Sequence, residues 1–469
     1  MNETSAGEAG QHSQHSQHSQ HSQHSQFALF GTRRFWPLFV TQFLGAFNDN
    51  AYKNALVVLL TFSAASWTSL KPEVLANIAA GLFILPFFLF SATAGQLADK
   101  FDKARLARAT KLLEIVIVVL AGFGFWRQSL PVLLAALFLL GLQSTLFGPV
   151  KYAILPQHLH PGELVGGNAL VEAGTFVSVL LGTLTGGLLA GLDGGIAWIV
   201  AICLTVAVGG FLSSRYIPEA PAPAPELKIA VNPLRETWRC IGFARKERSV
   251  FLSILAISWF WAYGALLLAQ FPAYTKSVLG GGESLVTVLL AVFSIGIGSG
   301  SLLCERLTRY RGKLVEPGLV PLGALGMVVF GADLALASPG EAAGALLPLA
   351  DALARGGTLR VLADLVLLGV FGGIYCVPLY ALVQQRSAVE YRARIIAANN
   401  ILNALFMVLA AAGASVFLGG GNSIPRLFLL VAGLHAAVTA YIFSVVPEFL
   451  IRALAWLGFR GQKTEDRGQ

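Results

Sequence analysis

Between Phe47 and Asn54 the chain reads Phe-Asn-Asp-Asn-Ala-Tyr-Lys-Asn, which sets one acid, one base and three amides inside an apolar stretch running from about Trp36 to Leu60. On a helix turning about 100° per residue, Asp49, Asn50, Lys53 and Asn54 share an arc of about 140°, with Asp49 and Lys53 one turn apart. Such groups are costly in hydrocarbon and are usually tolerated where they face a bundle interior or a water-filled path. A carboxylate and an ammonium at this spacing can neutralise one another or meet the two poles of a dipolar ligand. The run therefore reads as a polar wall along a transport path. The alternative is a salt pair that only packs helices, but the cluster is larger than one ion pair needs.

The elements that carry these residues follow from composition. The 469-residue chain is 55% hydrophobic and 12% charged, against roughly 25% charged in an average soluble domain; a polytopic membrane protein is expected. The net charge of +8 does not point to nucleic acid, because the basic residues cluster in short segments between apolar runs. Cys203, Cys240, Cys304 and Cys376 lack metal-ligand spacing, so neither a metal site nor a disulfide framework is expected. Five of the eight histidines lie in a Gln-His-Ser repeat from Gln11 to Ser25, read as part of a disordered tail over 1–34 with, at most, weak metal affinity. The first apolar run is too long for a cleaved signal peptide.

Apolar runs of about the 20 residues needed to cross a bilayer fall near 36–60, 75–97, 108–126, 130–150, 165–190 and 195–215, then near 250–274, 284–304, 314–335, 361–383, 395–418 and 424–446. The expected fold is all-α and polytopic, with 12 transmembrane helices in two six-helix halves (35–215 and 250–447), a linker over 216–249 and a cytoplasmic tail over 448–469. With both termini inside, cytoplasmic segments hold 26 of the 33 basic residues and the outer loops six, as the positive-inside rule requires. The linker opens with alternating prolines from Pro218 to Pro225, a stiff spacer. Leu234, Arg235, Trp238, Arg239, Phe243 and Arg245 follow, which predicts a short helix on the inner leaflet. The halves echo one another: Gly95 to Lys100 with Gly300 to Arg306, Pro149 to Ala153 with Pro378 to Ala381, and Asn168 with Asn399 and Asn400. Parallel repeats of this kind describe one large class of transporters.

Twelve spans, the central loop and Gly95-x-x-Ala98-Asp99-Lys100-x-x-Lys103 resemble the major facilitator superfamily and its loop motif, departing from it at Phe101-Asp102, where a glycine is common. Gln42 to Asn50, Phe147 to Tyr152 and Asn168 to Phe176 resemble the lysophospholipid transporter branch of that superfamily, over about 35–450. The resemblance implies a bacterial inner-membrane protein that moves lysophospholipids, notably the ethanolamine form, toward the cytoplasmic leaflet by alternating access. It also implies a cytoplasmic acyltransferase partner that re-acylates them. No such domain is expected on this chain, which ends about twenty residues past its last span; His160 to Glu163 does not give the His-x4-Asp spacing of those enzymes. A monomer is expected, with no cofactor and with a proton or sodium as the coupling ion.

On that resemblance, Lys53 meets the phosphate and Asp49 the amine, with Asn50 and Asn54 beside them. Glu172, with Asn168 and Thr175, supplies a second polar stripe, and Asn400 and Asn403 on span 11 supply uncharged partners; both sets serve equally well as contacts between helices. Phe83, Phe87, Phe88 and Phe90 offer an acyl-chain path or ordinary packing. Glu114 and Lys111, nearer the inner surface, read as structural or functional alike. Asp99, Lys100, Lys103 and Arg105 are assigned to conformational switching. The competing function is ion-coupled export of an amphipathic drug, siderophore or small metabolite, with Asp49 and Glu172 carrying the proton. A scaffold or sensor would not need so many intramembrane polar groups, and no nucleophile–base arrangement suggests an enzyme.

Overall fold

The computed structural model describes residues 25–62, 72–309, 317–339 and 346–458; apart from Ser25, the Gln-His-Ser repeat lies outside them. Lipid offers no partner to a bare N–H or C=O, so membrane segments satisfy their backbones internally as helices. Twelve long helices result among the described residues. They are α1 (Trp36–Phe62), α2 (Pro72–Lys100), α3 (Lys103–Trp126), α4 (Leu130–His158), α5 (Leu164–Ala190) and α6 (Gly195–Ser214) in the first half. After the linker helix α7 (Pro233–Arg245) come α8 (Arg248–Tyr274), α9 (Glu283–Arg309) and α10 (Leu319–Leu336). A short α11 (Leu349–Ala354) precedes α12 (Gly356–Arg386), α13 (Arg392–Gly419), α14 (Ile424–Val445) and a C-terminal α15 (Glu448–Trp456). Eleven of these helices are long and apolar enough to cross a membrane. The twelfth long helix, α1, has 27 residues and is set apart by its polar run.

Local chemistry fixes several ends. The Asp102 carboxylate accepts from the Arg105 N–H (2.8 Å) and starts α3, and the Asn232 side chain does the same for α7 from Arg235 (3.1 Å). Proline stands in the first turn of α4, α7 and α14, where its missing N–H costs no helical bond.

The two halves repeat one packing scheme. α2 packs on α4 as α9 packs on α12, and α1 on α5 as α8 on α13. Between the halves, α5 meets α9 and α2 meets α13, again an equivalent pair. Close approach within the first half depends on glycine: a Cβ at Gly186 would run into the Ala51 carbonyl, and one at Gly141 into that of Phe83.

The basic end, cytoplasmic by the positive-inside rule, is where the halves close. There Gly95 lies against α13, with room for a Cβ only 2.8 Å from that of Ala397. One expectation changes. Residues 26–31, assigned to a disordered tail, form a 3-10 helix whose buried Gln26 donates to the Leu302 carbonyl (3.1 Å) and, through its backbone, to Glu305 (3.3 Å). The turn is held because its polar groups find partners on α9. All four cysteines are free and buried.

Candidate substrate-binding site

α1 turns its polar run toward α2, α4 and α5. Asp49, Asn50, Lys53 and Asn54 are half-buried, whereas the intervening Asn48, Ala51, Tyr52 and Ala55 are buried. The four half-buried groups therefore share one accessible wall inside the bundle. Their bonding corrects the expected Asp49–Lys53 neutralisation: no ion pair joins them among the described residues. Asp49 accepts a short hydrogen bond from the Ser144 hydroxyl on α4. Lys53 donates to the Asn50 side chain (3.1 Å) and lies over the Phe83 ring, 5.3 Å from its centroid. Asn54 donates to Thr183 on α5 (3.1 Å). Both charges thus rest on neutral partners with opposite signs one turn apart.

Behind this wall is a second polar group. The Lys111 ammonium pairs with Glu114 at 2.6 Å, both side chains fully buried, and Glu114 also accepts from Asn48 (2.8 Å) and Gln143 (3.2 Å). Gly45 makes room for it, since a Cβ there would meet the Lys111 ammonium. Every carboxylate bond stays within the first half, so this pair holds α1, α3 and α4 together.

Toward the cytoplasmic end the halves meet in a floor. Tyr152 of α4 and Tyr380 of α12, the positions echoed in sequence, stack with centroids 4.5 Å apart and planes 5° apart. The Tyr152 hydroxyl donates to Glu172, and the Trp261 indole donates to the Tyr380 hydroxyl (2.9 Å). Lys151 is close enough to Glu172 and Asp49 for their charges to interact. Glu172 is therefore floor rather than wall. Asn168 also leaves the expected site: it is buried and exchanges two hydrogen bonds with Gln384 across the halves (2.7 and 3.0 Å). Asn403 is buried and accepts from Ser258 (2.8 Å). Asn400 is half-buried and lies against Gly148.

Below the floor, Asp99 accepts from the Arg394 guanidinium (2.8 Å) and the Ala393 N–H (3.0 Å) of α13. Lys103 is buried within the field of Asp99 and Asp102. Lys100 sits over Phe101 and Arg105 is exposed, so neither joins this contact. Arg394, Gln384, Tyr380 and Ser144 were missed from sequence, although the Tyr152–Tyr380 echo was visible. The contacts that close the halves thus lie at the cytoplasmic end. Asp99→Asn removes a charge-assisted bond worth about 1.5–3 kcal/mol, and is expected to shift the population toward an open cytoplasmic end. Spin labels at Arg105 and Val389, both exposed, should report longer distances than in wild type; unchanged distances would deny Asp99 a switching role.

A family model described as Major Facilitator Superfamily matches residues 35–411. The chain is 28% identical over 349 residues to the lysophospholipid transporter LplT of Serratia proteamaculans (strain 568), covering 74% of this chain and 78% of the relative. It is 29% identical over 390 residues to LplT of Escherichia coli (strain SE11), covering 81% and 88%. Among solved structures, the transporter FucP in an outward conformation superposes with a TM-score of 0.61 at 14% identity, over 92% of this chain and all of that one. A bacterial homologue of the iron transporter ferroportin, outward-facing, gives 0.60 at 16% identity, over 89% and 98%. At these identities both establish the fold alone.

Proposed function

The chain belongs to the major facilitator superfamily, as a multi-pass membrane transporter and not an enzyme, and from that premise we propose that it carries lysophospholipids toward the cytoplasmic leaflet of the bacterial inner membrane by alternating access. Lysophosphatidylethanolamine is the head group the wall suits best. The carrying observation is that Asp49 and Lys53 stand one turn apart without pairing to each other. A phosphate can take Lys53 and an amine Asp49 without first breaking an ion pair. This matters because bare head-group charges cost several kcal/mol in hydrocarbon, while the acyl chain gains about 0.8 kcal/mol per CH₂ by staying in an apolar place. Phe83 and its neighbour Phe87, 6.2 Å away between ring centroids, offer such a place beside Lys53. The LplT relatives support the same substrate class.

Glu172 is assigned to the coupling ion, proton or sodium. One carboxylate oxygen takes the Tyr152 hydrogen bond and the other is buried with no hydrogen-bond partner, directly at the contact that must part when the cytoplasmic end opens. A cytoplasmic acyltransferase would consume the delivered lysolipid.

Head-group recognition is separable from simple partition of an acyl chain. A ligand at a hundred times its Kd stabilises a folded protein by about 2.7 kcal/mol, so lysophosphatidylethanolamine should raise the melting temperature of the purified transporter. A free fatty acid of equal chain length should not. Equal shifts from both would assign binding to the chain alone and reject the proposed head-group site.

A further inference from the structure

α7 is placed where a linker between two bundles need not be. Its buried face, Cys240 and Ile241, packs on Ala92 of α2 and on Ala398 and Ile401 of α13, with Phe88 beside them. Ala92 lies two helical turns inside the cytoplasmic end of α2. The helix therefore lies along the flank of the α2–α13 seam, at the depth of the inner leaflet's head groups, and spans both halves. Its other face is turned away from the bundle: Leu234 is 75% exposed and Trp238 67%, and Arg235, Arg239 and Arg245 are exposed next to them, with Arg239 near Glu236 of the same helix (3.7 Å) and Arg245 over the Phe251 ring (5.2 Å). Apolar anchors interleaved with arginines on one face match a head-group boundary carrying negative charge. The same helix reaches the closing contact. The Phe243 ring lies 4.8 Å from the Arg394 guanidinium, which holds Asp99, and stacks on Tyr391 at 4.7 Å.

We propose that the outer face of α7 is a docking surface for anionic phospholipids of the cytoplasmic leaflet, and that their binding holds the α2–α13 seam shut. Leu234 and Trp238 enter the acyl boundary, and Arg235, Arg239 and Arg245 take the phosphates. Lipid bound there presses α7 onto both halves and keeps Phe243 against Arg394. Loss of anionic lipid loosens α7 and frees the cytoplasmic end to open. Charge complementarity selects the occupant: a second protein would have to displace lipid from a basic, tryptophan-anchored face at membrane depth.

Cys240 is a native reporter of the docked state, because it is fully buried beneath α7 and burial pushes its thiol up to about 12, where little reactive thiolate exists. The experiment is N-ethylmaleimide modification of the full chain in phosphatidylcholine vesicles with and without phosphatidylglycerol, with the modified cysteine located by peptide mass. A basic side chain near an anionic surface is worth about 1 kcal/mol, or about five-fold in an equilibrium. Phosphatidylglycerol should therefore slow Cys240 modification by at least about five-fold. The effect should fade at about 1 M salt, where the screening length is about 3 Å. Arg235→Gln with Arg239→Gln should remove most of the dependence, and Trp238→Ala should speed modification in both vesicles. Buried Cys304 reports whether a variant remains folded; if the glutamine pair exposes it, Arg235→Lys with Arg239→Lys replaces that pair and should retain the dependence. Equal rates with and without phosphatidylglycerol in wild type would overturn the proposal. So would a dependence that survives the glutamine pair in folded protein, or one lost in the lysine pair.

Discussion

Glu114→Ala is expected to destabilise the transporter by about 3–5 kcal/mol, the usual cost of stripping one partner from a buried ion pair. The carboxylate it removes binds Lys111, Asn48 and Gln143 at once, with both charged side chains at 0% exposure. The ammonium left behind keeps the Phe147 ring, 5.4 Å from its centroid, and the more distant charge of Asp49, and a cation–π contact is worth about 2 kcal/mol when desolvated. Lys111→Met leaves Glu114 two amide donors and should cost less. Combining Lys111→Met with Glu114→Leu should recover most of the loss, because neither desolvated charge then remains. Thermal unfolding of the detergent-purified protein orders these variants. If Glu114→Ala melts with wild type, the pair does not hold α1, α3 and α4 together.

That pair also marks what sequence reading reaches. Lys111 and Glu114 are visible as a polar spot on one helix, but they read as lying near the inner surface because a single helix does not reveal its depth relative to its neighbours. Their partners Asn48 and Gln143 come from two other helices whose offsets are set by glycine contacts such as Gly141 against Phe83. The same limit explains Asp99 and Asn168. Each was recognisable as a costly polar group, yet Arg394 and Gln384 lie more than 200 residues away, and no period within one helix names them. Asn168 shares a stripe with Glu172 and so reads as substrate-binding; packing puts both at the joint between halves. By contrast, the span count, the six-and-six division and the linker helix follow from hydrophobic length and the positions of Lys and Arg. Boundaries slipped where helices outrun the bilayer: α4 continues to His158 and α12 begins at Gly356, because a helix need not end where hydrocarbon does. The arc shared by Asp49, Asn50, Lys53 and Asn54 is seen as one accessible wall, but Ser144, the partner of Asp49, stands between Gln143 and Thr145, and no spacing within α4 singles it out.

Lys53→Ala and Asp49→Asn are expected to lower transport far more than stability. Each side chain is half-buried and hydrogen-bonds a neutral partner, so its loss breaks no ion pair. Hydrogen bonds to charged groups are worth about 1.5–3 kcal/mol, which corresponds to roughly ten- to a hundred-fold weaker head-group capture. The selectivities differ usefully. Lys53→Ala should weaken every phosphate-bearing lysolipid, whereas Asp49→Asn should weaken the ethanolamine form most and spare forms without an amine.

The direct measurement is movement of labelled lysophosphatidylethanolamine across proteoliposome membranes, comparing wild type, Asp49→Asn and Lys53→Ala at matched amounts of folded protein, under proton and sodium gradients. Protein-dependent movement in wild type that falls at least about ten-fold in both variants is the expected result. Movement unchanged by both substitutions would remove Asp49 and Lys53 from the head-group path, and no movement in folded wild type under either gradient would contradict lysophospholipid transport itself.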